Sequence, residues 1–199
     1  VSDHYFTEQP SVESRPEKIR AELRGRNFMF TTDQGVFSKG ELDTGSELLV
    51  EEFMFPKVNG PIADVGCGYG AIGLPLAAET ERAVWLFDVN ERALALAEAN
   101  RDVNGLANIH VQASDGLQNT PDQLYAAIVT NPPIRAGKAV VHRIFEEAAA
   151  RLVSSGEFWV VIRKKQGAPS AKEKLATLFS EVELVKKNKG YYILKAVKY

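Results

Sequence analysis

From residue 61 to the C-terminus, short apolar runs alternate with longer stretches in which apolar positions recur every three or four residues. These are the periods of buried strands and of amphipathic helices. Strands are predicted at 61–65 (PIADV), 83–89, 108–112, 125–130 and 157–163, with helices at 71–79, 91–105 and 138–152 between them. Pro75 is tolerated near the start of the first helix, and Gly105 stops the second. Ser170 to Glu173 has capping-box spacing and predicts a helix running to about residue 179. The last two strands, 181–187 and 191–197, flank Asn188-Lys189-Gly190, a hairpin turn. Upstream, residues 1–22 are polar, contain Pro10 and Pro16, and read as an arm. Residues 23–37 alternate around Asp33-Gln34-Gly35 and predict a β-hairpin, and 44–55 forms an amphipathic helix stopped by Pro56.

This order predicts an α/β fold, a doubly wound and mostly parallel sheet with one antiparallel strand at its C-terminal end and an N-terminal β-hairpin extension. Residues 1–55 (arm, hairpin and helix) are expected to pack on a core of residues 56–199, giving one structural domain. Ligands of such sheets bind outside the carboxyl ends of the strands, where the strand order reverses, so the loops after strands should carry the chemistry.

Composition narrows the class. The 199 residues are 45% hydrophobic and 25% charged, as in ordinary globular proteins. No apolar run approaches the ~18–20 residues of a membrane span, and the first residues lack the pattern of a secretory leader, so a cytoplasmic protein is expected. Cys67 is the single cysteine and the three histidines are scattered, which argues against a disulfide scaffold and a metal site. The net charge of −2 is uneven: residues 163–199 hold ten Lys/Arg against three acids, +7, which leaves −9 for the remainder. A basic edge of that kind either faces a polyanion or is a solvated surface.

Four post-strand loops stand out. Asp64-Val65-Gly66-Cys67-Gly68-Tyr69-Gly70 follows the first strand. Its alternating glycines let a ligand lie against the backbone, and Gly66, Gly68 and Ala71 also fit a loose dinucleotide pattern. Asp64 would repel a pyrophosphate but accept from an ammonium group. Asp88 ends the second strand, where a carboxylate suits paired ribose hydroxyls; Asn90 serves as a ligand contact or a helix N-cap. After the third strand, Ser114-Asp115 could read an adenine amino group or form a local turn. Asn131-Pro132-Pro133-Ile134 follows the fourth. Its prolines remove two backbone donors and fix the chain, leaving acceptors able to hold both N–H bonds of a planar amine.

DVGCGYG, Asp88, Ser114-Asp115 and NPPIRAGK together resemble class I S-adenosylmethionine-dependent methyltransferases. GVFSKGELDTGSELL (35–49) and NPPIRAGK (131–138) are similar, more narrowly, to the small-subunit rRNA guanine-N(2) methyltransferases. The resemblance, which spans about 23–199, implies a seven-stranded Rossmann-like sheet of order 3-2-1-4-5-7-6. It also implies S-adenosylmethionine at Asp64, Gly66, Gly68, Asp88 and Asp115, and Asn131 at the target amine; Asn90 and Ser114 are further candidates for the cofactor site, and Pro132 and Pro133 for the amine site.

Methyl transfer to an exocyclic amine of a nucleobase, most simply guanine N(2) in ribosomal RNA, is then expected, with no metal. A flipped base could rest on Phe37, otherwise a hairpin packing residue, or on Ile134. Arg135 and Lys138 follow the fourth strand, and Arg163, Lys164 and Lys165 the fifth, on one edge of the sheet, where they would attract ribosomal RNA or a ribosomal subunit. A small molecule or a protein amide remains an alternative substrate, although Ile134 stands where the protein-glutamine and DNA-adenine enzymes have an aromatic residue. An NAD-dependent oxidoreductase would leave Asn131-Pro132-Pro133 without a role, and a non-catalytic RNA-binding module would leave the glycine loop without one.

Overall fold

A computed structural model describes residues 8–38 and 40–199. The chain opens with the hairpin β1 (Glu17–Leu23) and β2 (Arg26–Thr32), followed by helix α1 (Thr44–Glu52). Then come β3 (Ile62–Val65), α2 (Gly73–Ala77), β4 (Val84–Asp88), α3 (Glu91–Val103), β5 (Ile109–Ala113) and β6 (Tyr125–Thr130). Helix α4 (Lys138–Arg151), β7 (Leu152–Arg163), α5 (Ala168–Leu178), β8 (Glu181–Asn188) and β9 (Tyr191–Val197) complete it. Among the described residues, no helix is long and apolar enough to cross a membrane.

Seven strands form one sheet in the order β5-β4-β3-β6-β7-β9-β8, with β9 antiparallel to both neighbours. This is the fold class and strand order expected. Every residue of β3 and β6 is buried, because the hairpin and α1–α3 cover one face of the sheet while α4 and α5 cover the other. Strand order reverses between β3 and β6, where Val65 pairs with Thr130. The buried Thr130 hydroxyl donates to Val65 O at 2.7 Å, so Gly66 and Asn131 leave the sheet side by side.

The hairpin is tied down by two amides, Asn100 on α3 and Asn104 at its C-terminal cap. Asn100 exchanges hydrogen bonds with the backbone of Thr31 (2.7 and 3.0 Å), and Asn104 does the same with Met29 (3.1 and 2.8 Å). They stand in for a neighbouring strand and satisfy the open edge of β2. Asn100 also donates to Tyr69 O at 2.8 Å, linking the hairpin to the glycine loop.

Four local expectations are corrected. The hairpin turns at Arg24-Gly25, not at Asp33-Gln34-Gly35, and residues 17–22 form a strand rather than an arm. Arg24 is held at φ 51° by tertiary contacts: its N–H donates to Glu51 and its guanidinium to Val50 O and Phe53 O, the open carbonyl end of α1. Asp33 instead pins the incoming chain, accepting from Ser14 Oγ and Arg15 N at 2.6 Å each. Burial opposes its charge, but these bonds, a third from Gln34 N and the nearby Arg92 outweigh it and hold the carboxyl below its ordinary range. Of the predicted arm, residues 1–7 lie outside the described residues.

Second, α1 stops at Glu52 because Phe53 is extended and buries its ring 5.2 Å from Trp159. Third, α5 begins at Ala168 with a proline in its first turn, which places Ser170 inside the helix rather than at its cap. Fourth, β7 starts at Leu152. Its pairing with β6 jumps from Tyr125–Leu152 to Ala127–Glu157, which leaves 153–156 as a bulge.

Candidate active site

The reversal between β3 and β6 opens a cleft of about 240 Å³. Gly66 and Gly68, at φ 72° and 55°, form its floor. A Cβ added to either would meet nothing within 4 Å, so the loop presents bare backbone to open space. Gly66 N and Cys67 N donate to Phe87 O at 2.8 and 2.9 Å, joining the loop to the end of β4.

Asp88 is the acid of that strand end. Its Oδ2 accepts from Gly68 N at 2.8 Å and its Oδ1 from Asn90 N at 2.9 Å. Burial raises its pKa, and the N–H groups of Asn90, Gly68 and Val89 oppose the rise. The carboxylate keeps lone-pair capacity for a ligand. Asp64 lies beneath the loop rather than in the cleft lining. Its Oδ2 accepts from Gly73 N at 2.9 Å, while its buried Oδ1 has no partner among the described residues. Burial, reinforced by Asp88, pushes its pKa up to about 7 against one opposing backbone bond. Burial and the same two carboxylates raise the Cys67 thiol well above its ordinary range, which makes it a poor nucleophile.

Asn90 lines the cleft by position, but its side chain is engaged on both ends. The oxygen caps α3 through Ala93 N, and the nitrogen donates to Gly35 O. Ser114 and Asp115 lie outside the lining. Ser114 Oγ donates to Gly116 O within its own turn, and Asp115 forms a 2.6 Å ion pair with Arg143.

On the opposite wall, Pro132 and Pro133 are buried and a turn bonds Ile134 N to Pro132 O at 2.9 Å. Asn131 lines the cleft with Nδ2 donating to Asp43 Oδ2 (2.9 Å) and Ser46 Oγ (3.1 Å). This fixes which end of the carboxamide is the oxygen and leaves Oδ1 as the acceptor. Phe37, Ile134 and Arg135 line the same cleft. Lys138 borders an adjoining hollow of about 260 Å³ with His142 and Ser170, and Lys164 and Lys165 are exposed on the turn after β7, outside both linings. The five cations expected around the pocket therefore divide: Arg135 and Arg163 line it, and the lysines flank it.

Sequence reasoning missed Asp43, Ser46, Tyr69 and Tyr191. Asp43 carries an N-cap pattern, but nothing local signals its reach to Asn131. Arg163 donates to Tyr191 Oη at 2.8 Å, with its guanidinium 4.9 Å from the ring centre. Tyr69 is buried with no partner on its hydroxyl among the described residues, and burial followed by the Asp43 charge raises its pKa.

The bare glycine backbone and the lone-pair capacity of Asp88 suit a ligand that carries ribose hydroxyls, and the buried Asp64 carboxyl beneath the loop suits a cationic amino group nearby. With the antiparallel β9 inserted before β8, they set the class: an enzyme that uses S-adenosylmethionine to transfer a methyl group. The sequence profile of the methyltransferase small domain matches residues 27–195, and the chain belongs to that family. It is 54% identical over its whole length, and the whole of the other chain, to YbxB of Bacillus subtilis, an uncharacterized protein. It is 34% identical to the Shewanella halifaxensis ribosomal RNA small subunit methyltransferase C, over 82% of this chain and 48% of that one. The T. thermophilus 16S rRNA N2 G1207 methyltransferase, solved in complex with AdoMet and guanosine, superposes with a TM-score of 0.81 at 28% identity. That match covers 96% of this chain and 52% of the other. The chain thus spans about half the length of these rRNA enzymes.

Proposed function

We propose that this methyltransferase acts on the exocyclic amine of a nucleobase, guanine N(2) of ribosomal RNA. The observation that carries the reading is the Asn131 carboxamide, oriented by two acceptors on its nitrogen so that Oδ1 is free at the cleft. Similarity to the rRNA enzymes, one of them solved with guanosine, supports the choice of base.

S-adenosylmethionine, when bound, supplies an electrophilic methyl group on a cationic sulfur. Asp88 would accept from its ribose hydroxyls, Gly66 and Gly68 would let it approach the backbone, and the Asp64 carboxylate would attract its ammonium group. Asn90, with both ends engaged, would support the wall beside Asp88, while Ser114 and Asp115, outside the lining, take no part in this reading. The aryl amine is a weak nucleophile because its lone pair is delocalised into the ring. Asn131 Oδ1 and the remaining lone pair of Pro132 O would accept its two N–H bonds, favour a pyramidal nitrogen and aim it in line with the methyl group, so catalysis is orientation and electrostatics. Pro133 fixes the turn. Phe37 and Ile134 would flank the base, while Arg135, Lys138, Lys164 and Lys165 would meet phosphates. Mapping methylated guanines in 16S rRNA from cells with and without the protein tests this. One guanine should lose its N(2) methyl group in the deletion strain, and an unchanged map would overturn the reading.

A further inference from the structure

We infer that Asp43 is a positioning residue for methyl transfer, acting through Asn131; this rests on the role of Asn131 given above. Asp43 and Asn131 are 88 residues apart, yet Asp43 Oδ2 accepts from Asn131 Nδ2 at 2.9 Å. The same oxygen accepts from Ser46 N at 2.8 Å as the N-cap of α1, so the helix fixes the carboxylate. Ser46 Oγ takes the second N–H of Asn131 at 3.1 Å. With both hydrogens held, the carboxamide cannot flip without turning its oxygen onto a carboxylate. Among the described residues, no donor reaches Oδ1. Donation to an anionic acceptor also polarises the amide, drawing electron density toward Oδ1, the atom that would receive the substrate N–H.

The turn between these partners is closely fitted. A Cβ at Gly45 would lie 2.6 Å from the Tyr191 ring, so the first turn of α1 is wedged between Asn131 and Tyr191. Capping alone requires no carboxylate, since serine caps as well as aspartate. Reaching a second donor, 88 residues away on the same wall of the cleft, requires the longer side chain.

Asp43→Ser keeps a cap but falls short of Asn131, and Asp43→Asn keeps both the cap and the reach. Three quantities are to be measured: kcat on 16S rRNA, the Kd for S-adenosylhomocysteine, and the ¹⁵N side-chain amide resonance of Asn131, assigned by its loss in Asn131→Ala. Asp43→Ser should lower kcat at least tenfold, leave Kd within twofold and shift the Asn131 resonance, and Asp43→Asn should restore most of kcat. Ser46→Ala, which leaves the cap in place, should shift the same resonance and lower kcat several-fold, and it serves if Asp43→Ser does not fold. An unmoved Asn131 resonance, an unchanged kcat, or a Kd that rises in step with lost kcat would overturn the positioning role. A wild-type protein that leaves guanine in RNA unmethylated would instead overturn the substrate reading, with the amide resonance still reporting on Asp43.

Discussion

The loops after β3 and β6 leave the sheet as neighbours and are held by different means. The glycine loop is bonded through its backbone to the end of β4: two N–H groups reach Phe87 O and a third reaches Asp88. The Asn-Pro-Pro loop lacks two N–H groups, and its Asn131 is anchored by side chains at the start of α1. One wall is built from adjacent strand-loop-helix units. The other is closed by a contact between segments distant in the chain. The proposed cofactor cradle, made of backbone, should tolerate changes on the far wall, so cofactor binding and amine positioning should separate under mutation.

The largest separation is expected for Asn131→Ala. Its turnover on RNA should fall roughly 10²–10³-fold, the scale for losing a preorganised hydrogen-bonding group at a reacting centre. Calorimetry should find S-adenosylhomocysteine affinity unchanged, and a parallel loss of affinity would merge the two walls into one unit. Asp88→Ala should do the converse. Cofactor affinity should weaken by about 1.5–3 kcal/mol, the worth of hydrogen bonds to a charged group, with turnover retained at saturating cofactor. Unaltered affinity would remove Asp88 from the site.

Asp64 probes the floor beneath the glycine loop. With its pKa pushed up to about 7 by burial, the folded chain keeps a proton that the unfolded chain loses near pH 4. Folded protein binds more protons across that window, so this group's contribution to stability is present at low pH and lost as pH rises from about 4 to 7. Asparagine cannot ionise. The melting temperature of Asp64→Asn relative to wild type should therefore be higher at pH 8 than at pH 5, and a difference independent of pH would contradict it. The smallest effect is expected outside the cleft. Lys164 and Lys165 are exposed, and among the described residues no acid pairs with them. Replacing both by alanine should weaken RNA binding a few-fold and flatten its salt dependence by about 0.7 per lost phosphate contact, without changing cofactor affinity. Wild-type affinity and salt slope would confine the RNA surface to Arg135, Lys138 and Arg163.

The same contrast decides what could be read from the sequence. Strand periodicity, the glycines and Asp88 are local, and the mostly parallel sheet with its post-strand loops follows from them, whereas the expected strand order comes from the family resemblance. Asn131 was legible because two prolines after a strand make a rigid turn. Asp43 and Ser46 lie at the start of the predicted helix 44–55, and nothing local signals a partner 88 or 85 residues away. The hairpin turn was misplaced for a similar reason: an arginine at positive φ is disfavoured locally, and α1 stabilises it by taking its guanidinium. Asn90 had two local readings, and its bond to Ala93 N establishes the cap. The charge excess near the C-terminus overstated the basic face, because Lys174, Lys186 and Lys195 pair with Glu146, Glu52 and Glu183.

The most direct test of the account is the chemical position of the transferred methyl group. Ribosomal RNA incubated with the protein and tritiated S-adenosylmethionine can be digested to nucleosides and separated against standards. The account predicts label in N(2)-methylguanosine with the wild-type protein and almost none with Asn131→Ala. Label in a different nucleoside, or wild-type labelling by Asn131→Ala, would contradict it.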